Sequence, residues 1–441
     1  MYKSYISTVG EPDDEGDPDI VYYNADIINN TSLEPIGPED KNEVKFIETR
    51  SVPLINNLSN FEFSIIRFTM NGPSLNLPIH IPTIELGQSD INRTTYQIGI
   101  NFTKDFDDAT GTGHTFNQFI KRHISYVSET TSFYINNLQL PLPPISQQDT
   151  RGIYYWIYTY GHFCKLFNTT VGDLLDDFST AYTAYQATFP GPCTNTIINT
   201  DFPELVYNES SNLFSIYYDV RSAGGARTNS SYFSSAPEIL ELSLNNNLFN
   251  LFSSFESEYV GSQQTTSESN VLKIVNKNFT NWVAPPVGFP IGPTQTPSPS
   301  GYWVMTQNYI STSTLWSPIA SIVFTSTLIP IFSEQVGEPT VFGDSNNNSI
   351  SSTSSAFQPI ITDIALPLKT ADDYRQFIEY APSAEYRMSA FTKSKQSLSN
   401  IDIQVFFKNR LDNSLYPIKM TNYSTVSIKM MFRKKNRLLH Y

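Results

Sequence analysis

The chain has 441 residues, with 28 Lys plus Arg against 42 Asp plus Glu and a formal net charge of −14, which excludes a protein that coats nucleic acid over its whole surface, since that needs a broad basic face. Its 30 Phe, 26 Tyr and 28 Pro, with only 16% charged residues, suit strands separated by many turns rather than long helices. An all-β fold is expected, and the length allows two or three domains or one large β unit.

Residues 1–20 are acidic, with Asp13, Asp14, Glu15, Asp17 and Asp19, and Gly10, Pro12, Gly16 and Pro18 oppose regular structure. A mobile arm is expected there, with order beginning near Ile20. "FEFSIIRFTM" (Phe61–Met70) has strand character. "TTYQIGINFT" (Thr94–Thr103) follows, with Tyr96, Ile98, Ile100 and Phe102 on one face.

Helical spacing is confined to a few places. "HTFNQFIKRHISYV" sets Phe116, Phe119, Ile120, Ile124 and Val127 along one stripe. "TVGDLLDDFSTAYTAYQ" does the same with Val171, Leu174, Leu175, Phe178, Tyr182 and Tyr185, and its Thr170 and Asp173 are spaced as a capping box. Both predict amphipathic helices covering a sheet edge or flank. "LFNLFSSF" (Leu248–Phe255) predicts a shorter piece of the same kind, whereas "IYYWIYTYGHF" (Ile153–Phe163) fits a strand or a helix start equally well.

From Glu256 to Gly301 the chain is polar and then proline-rich, which excludes a central strand and predicts a long surface loop or arm; residues 343–355 predict a second loop. Patterned segments resume with "SPIASIVFTSTLIPIF" and "FQPIITDIALPL". Near the end, Ile401, Ile403, Val405 and Phe407 alternate with polar residues, as do Val426, Ile428, Met430 and Phe432. That period of two marks half-buried strands, and burying eight such side chains contributes roughly 12–24 kcal/mol before chain entropy is subtracted. The fold is therefore expected to close with a C-terminal pair of strands, joined by a loop containing Leu411, Asp412 and Asn413 and carrying Pro417 at a strand edge. Arg433, Lys434, Lys435 and Arg437 follow as a basic tail, read either as a solvated end or as a contact surface.

The search for chemistry yields no catalytic, metal or cofactor site. His80, His114, His123, His162 and His440 form no ligand-spaced pair, and His80 and His162 read as satisfied core residues. "GTGHT" at Gly111–Thr115 reads as a turn plus helix start, lacking the spacing and lysine of a phosphate loop. The paired acids Asp107/Asp108, Asp176/Asp177 and Asp372/Asp373 read as solvated faces, and there is no GxSxG elbow. Cys164 and Cys193 are expected as reduced thiols, and the sequons at Asn101, Asn168, Asn229 and Asn278 as unglycosylated. Neither a secretory leader nor a membrane span is expected.

Several stretches together resemble capsid proteins of the Polinton-like and adintovirus group of small DNA viruses, of minor capsid or penton type. They are "PLINNLSNFEFSIIRFTM", "IYYWIYTYGHF", "LELSLNNNLFNLF", "SPIASIVFTSTLIPIFSE" and the closing "IDIQVFFKNRLDNSLYPIKMTNYSTVSIKMMFRKK". The resemblance implies an eight-stranded jelly roll of two packed sheets, assembled into pentamers at icosahedral vertices beside other capsid proteins, without catalysis or cofactor. A single jelly roll needs fewer residues than this chain has, so an inserted outer domain or a double jelly roll is implied as well. The expected division is a mobile acidic arm (1–20), the first part of the jelly roll (21–150), an inserted outer domain (151–315) with its proline-rich loop (284–301), the closing part (316–432) and a basic tail (433–441). In a virion made in the host cytoplasm and assembled there or in the nucleus, Arg433, Lys434, Lys435 and Arg437 would face packaged DNA. The alternatives from other classes are a secreted β-sandwich that binds glycans through exposed aromatic platforms and a hydrolase with a dispersed site.

Overall fold

A computed structural model of the protein describes residues 6–9, 16–29, 43–71, 77–85, 87–128, 153–193, 203–218, 238–259, 271–274, 282–283, 302–310, 316–332, 334–337, 355–365, 377–382, 388–391, 396–410, 413–420 and 424–435. They belong to two units, one drawn chiefly from Met1–Ile79 and Ser317–Tyr441, the other from His80–Glu129 and Pro141–Trp316. The division comes at His80, so residues 80–128 belong with the second unit rather than with the first part of a jelly roll.

The first unit opens with β1 (Ile6–Val9), β2 (Ile20–Asn29), β3 (Lys45–Thr49) and β4 (Phe61–Asn71). The second begins with β5 (Arg93–Asp107), β6 (Gly113–Ser125), the helix α1 (Tyr160–Gln186), β7 (Glu204–Asn208) and β8 (Leu213–Tyr218). It continues through β9 (Glu238–Asn245), the short helix α2 (Asn246–Leu251), β10 (Ser257–Tyr259), β11 (Val271–Ile274), β12 (Trp282–Val283) and β13 (Tyr302–Thr306). The chain then returns to the first unit with β14 (Ile319–Thr325), β15 (Glu334–Gly337), β16 (Ser355–Gln358), β17 (Ile360–Ile364) and β18 (Phe377–Tyr380). It closes with β19 (Ser389–Ala390), β20 (Asn400–Asn409), β21 (Leu415–Pro417) and β22 (Ser424–Lys434).

Eight strands of the first unit form two antiparallel sheets. One runs β2-β22-β4-β18, extended by β1 and with β19 also on β4; the other runs β17-β14-β20, with β3 and β21 along the free edge of β20. Numbered in chain order, the eight lie first-eighth-third-sixth in one sheet and fifth-fourth-seventh-second in the other. Almost every connection therefore crosses from sheet to sheet, which is the interleaved Greek-key order of a jelly roll. The second unit enters between the third and fourth of these strands, β4 and β14. Its own sheets, β10-β11-β9-β5-β6 and β12-β13-β8-β7, do not repeat the order, so among the described residues the arrangement is one jelly roll with an insertion.

Alternation builds the core of the first unit. The eight apolar residues of β20 and β22 named above are all at most 2% exposed. Phe68 on β4 meets Phe324 on β14 edge-on at 5.0 Å, and Tyr23 on β2 meets Phe46 on β3 at 6.0 Å, joining the facing sheets. Phe432 stacks on Phe63 at 4.9 Å. In the second unit α1 lies on β5 and β6 through Phe178 against Phe102 and Tyr182 against Phe116, both 5.3 Å apart. Arg122 of β6 fixes the same helix through Asp177 at 2.8 Å and Asp173 at 3.3 Å. Gly99 gives the room where β5 passes between its neighbours, because a Cβ there would stand 2.6 Å from the Ser243 hydroxyl and 2.7 Å from the Phe119 ring.

Several expectations are corrected. The stretch from Glu256 to Gly301 is not one long loop, since β10, β11 and β12 lie in it and β11 pairs with both β10 and β9. The stripe beginning at His114 is a strand, not a helix: Phe116, Ile120 and Ile124 recur every four residues, a spacing that also suits a period of two, and the long ladder with β5 decides the outcome. The helix over Thr170–Gln186 is real but starts ten residues earlier, where the Thr159 hydroxyl accepts from His162 N; Thr170 lies inside it, bonded to Leu166 O at 3.0 Å. The closing strands β20 and β22 lie in different sheets and do not pair with each other. Order also begins before Ile20, since Ile6–Val9 pairs with Ile20–Tyr23. Pro417 does lie on an edge strand, while Leu411, Asp412, residues 284–301 and residues 343–354 lie outside the described residues.

Candidate functional site

The basic cluster sits at the end of β22, a strand that lies between β2 and β4 and pairs with both. Register places Arg433 opposite Ile20 on one side and Glu62 on the other, and its guanidinium lies 3.7 Å from the Glu62 carboxylate. Lys434 Nζ donates to Asp17 O at 2.7 Å, stands 3.5 Å from the Asp19 carboxylate and lies 6.0 Å from the Phe61 ring centre. Lys435 Nζ donates to Ser59 O at 3.1 Å. Backbone bonds extend the ladder on both sides, from Lys434 N to Asp19 O and from Lys435 N to Asn60 O.

Asp17 completes the arrangement from the acidic segment. Its side chain is only 3% exposed and accepts from the amides of Asn56 and Asn57 and from Asn56 Nδ2, all within 3.1 Å. Those donors sit just before a 3-10 turn (Leu58–Asn60), whose start is capped by the Asn57 side chain. A buried carboxylate satisfied in this way is a structural anchor. Asp17 is thus no part of a mobile arm, and Lys434 and Lys435 are not free tail charges but spend their donors on the fold. Arg437 lies outside the described residues.

Several other groups singled out in the sequence are also engaged, while His440 lies outside the described residues. Asp108 closes the β5–β6 hairpin: the Thr110 hydroxyl and the His114 imidazole, with the amides of Thr110 and Thr112, hold its carboxyl well below the usual range. The GTGHT stretch is accordingly a turn that opens a strand rather than a helix. His80 is buried with both ring nitrogens bonded, and His162 Nε2 donates to Val127 O at 2.8 Å. Asp372 and Asp373 lie outside the described residues. Among the described residues no three His, Cys, Asp or Glu side chains gather as a metal site requires.

Cys164 and Cys193 are free thiols, and burial pushes Cys164 far up. The Asn168 amide donates to Leu205 O at 3.0 Å and accepts from Leu205 N at 2.8 Å, so a glycan there would break a strand anchor. Asn229 and Asn278 lie outside the described residues.

Sequence reasoning overlooked Asp402. It is 2% exposed and binds the Ser326 and Thr327 hydroxyls and the amides of Thr327 and Leu328. Burial pushes its pKa up, but these donors together outweigh burial and hold it below the ordinary value. A polar residue in the solvent-facing row of β20 gave no sign of this, because the partner loop follows a strand more than seventy positions away.

With the sheet order and this anchored edge established, the comparisons with known proteins decide the family. The profile of the family "Sputnik minor capsid protein V18/19" matches residues 21–434. The chain belongs to this family. It is a structural capsid protein of the virion.

A Sputnik virophage relative, "Uncharacterized protein V18", is 26% identical over 170 residues, covering 37% of this chain and 86% of the relative. The fold is similar to a chain of the Sputnik virophage structure determined by cryo-EM, with TM-score 0.63, 21% identity and coverage of 95% of this chain and 99% of that one. It is also similar to the crystal structure of the mavirus penton protein, with TM-score 0.52, 17% identity and coverage of 94% and 99%. No described helix is long and apolar enough to cross a membrane.

Proposed function

We propose that this minor capsid protein is the vertex subunit of an icosahedral shell, assembling as a pentamer beside other capsid proteins, with the second unit as its outer domain. The observation that carries this reading is the family match across both units, together with a fold shared over nearly the whole chain with a penton protein. Its activity in this reading is assembly, without catalysis or cofactor, as expected of a capsid family. Subunits are made in the host cytoplasm and join the shell there or in the nucleus.

The basic end of β22 faces the packaged DNA in this reading. Lys434 and Lys435 donate to backbone carbonyls, while the Arg433 side chain is one-third exposed and Arg437 follows in the sequence. Phosphate attraction at so few charges is local and weakens as salt rises. Sedimentation and negative-stain imaging of the purified full chain test the assembly, because subunits that complete their burial only by association populate rings as concentration rises. Closed five-membered rings are expected, and a monomer at every concentration would refute the vertex assignment. Reduced genome content in particles carrying Arg433→Ser and Arg437→Ser is the expected sign of DNA contact; normal content would remove that assignment while leaving the vertex role intact.

A further inference from the structure

Two histidines of the second unit grip the same three-residue irregularity. Pairing of β5 with β6 jumps from Arg93 opposite Ser125 to Gln97 opposite His123, so Thr94, Thr95 and Tyr96 bulge from the ladder. Backbone groups here are bound outside the β6 ladder. Thr95 N donates to Thr83 O at 2.9 Å, Tyr96 N to Thr94 Oγ1 at 3.2 Å and Gln97 N to Asn245 Oδ1 at 3.1 Å, while Asn245 Nδ2 donates to Thr95 O at 2.8 Å.

Each imidazole holds the bulge in a fixed tautomer. Arg93 can only donate, so His123 Nε2, 2.9 Å from its guanidinium, accepts, and His123 Nδ1 donates to Thr94 O at 2.9 Å. On the other side the Trp316 carbonyl can only accept, so His80 Nδ1 donates to it at 3.0 Å and His80 Nε2 accepts from the Tyr96 hydroxyl at 2.8 Å. His80 and Trp316 are the first and last residues of the second unit. The bulge is thereby tied to both ends of the inserted segment.

We propose that the Thr94–Gln97 bulge is an acid-released latch, opened when protonation of His80 and His123 turns their acceptor nitrogens into donors that face the Tyr96 hydroxyl and the Arg93 guanidinium. The surroundings set the weights. His80 is ringed by Tyr96, Phe163 and Trp316, and the Tyr96 phenol is the titratable group against it. His123 faces Arg93, Gln97 and Glu85, whose carboxylate lies 3.7 Å from Nδ1 and 2.6 Å from Arg93 Nε and offsets part of the repulsion. The Tyr96 hydroxyl can turn to accept, so what opens the His80 side is a charge buried among three rings with no acid beside it in the described residues, and His80 carries the larger share. Burial pushes its pKa down to about 4 against a pull upward from the Trp316 carbonyl. With the folded value below the ordinary 6.5, the latch is fully closed above that value and loosens as pH falls toward 4.

Hydrogen exchange on the full chain, referenced to the unfolded protein at each pH, reads the amides of Thr95, Tyr96 and Gln97 against those of β22. Between pH 7.5 and 4.5 the bulge amides are expected to lose protection at least tenfold more than β22, and a His80→Gln, His123→Gln double variant is expected to lose that difference, with His114→Gln as control. A uniform loss along the chain, or a double variant that responds as the wild type does, overturns the latch. Should the double variant not fold, NMR of the histidine rings in wild-type protein decides. An ordinary His80 titration near pH 6.5 with the bulge still protected also overturns the latch, whereas His80 protonation coincident with loss of bulge protection supports it.

Discussion

Lys434 Nζ donates to the backbone carbonyl of Asp17 at 2.7 Å, across 417 positions of sequence. The acidic and basic segments at opposite ends of the patterned chain are therefore partners within one fold, and the end of β22 serves stability before it serves any contact outside the subunit. The two roles separate by residue.

Replacing Lys434 and Lys435 by Ser removes two charged hydrogen bonds to backbone carbonyls and is expected to cost about 1–2 kcal/mol each. Arg433→Ser removes a long, partly exposed ion pair and is expected to cost less than either, under about 1 kcal/mol. Denaturant midpoints of the separate variants check the contrast.

Asp17→Ala leaves the Asn56 and Asn57 amides without their acceptor beneath the same edge. The expected loss is about 2–4 kcal/mol, from unmet buried donors rather than from lost charge. Asp17→Asn, which keeps one acceptor oxygen, is expected to recover part of it in the same denaturation measurement.

Asp402 gives an acid limb to stability. Its folded pKa is held below the ordinary carboxylate value of 3.8, so the stabilisation is present above that value and is lost as pH falls through the folded one. Asp402→Asn is expected to cost about 2 kcal/mol at neutral pH and to flatten the decline in thermal midpoint below pH 4, as calorimetry across pH would record.

Phe432 is fully buried, stacked on Phe63 and 6.3 Å from Phe391. Phe432→Ala is expected to cost about 3–5 kcal/mol. Removal of Val426–Phe432 takes out the strand between β2 and β4 and is expected to abolish folding, seen as loss of the cooperative transition.

The sequence carried the β class and the faces of the best-patterned strands, because a period of two follows directly from strand geometry. It did not carry partners: Ile403 and Ile428 read alike although one lies in each sheet. The spacing of Phe116, Ile120 and Ile124 was ambiguous between helix and strand, and only the β5 ladder resolved it. At the candidate site the charges of Arg433, Lys434 and Lys435 were legible, whereas their engagement was not, since Asp17, Asp19 and Ser59 become neighbours only through the sheet order.

That order bears on how the subunit comes into being. Met70 pairs with Val426, so β2 and β4 leave the ribosome with their shared neighbour still unsynthesised, and the whole second unit is translated before β14 or β22 is available. Such long-range pairing is slow and leaves apolar strand edges open meanwhile. The insertion thus delays completion of the jelly roll until β22 has emerged, and a chain truncated before it would expose unpaired edges to aggregation instead of offering a finished wall to the growing shell.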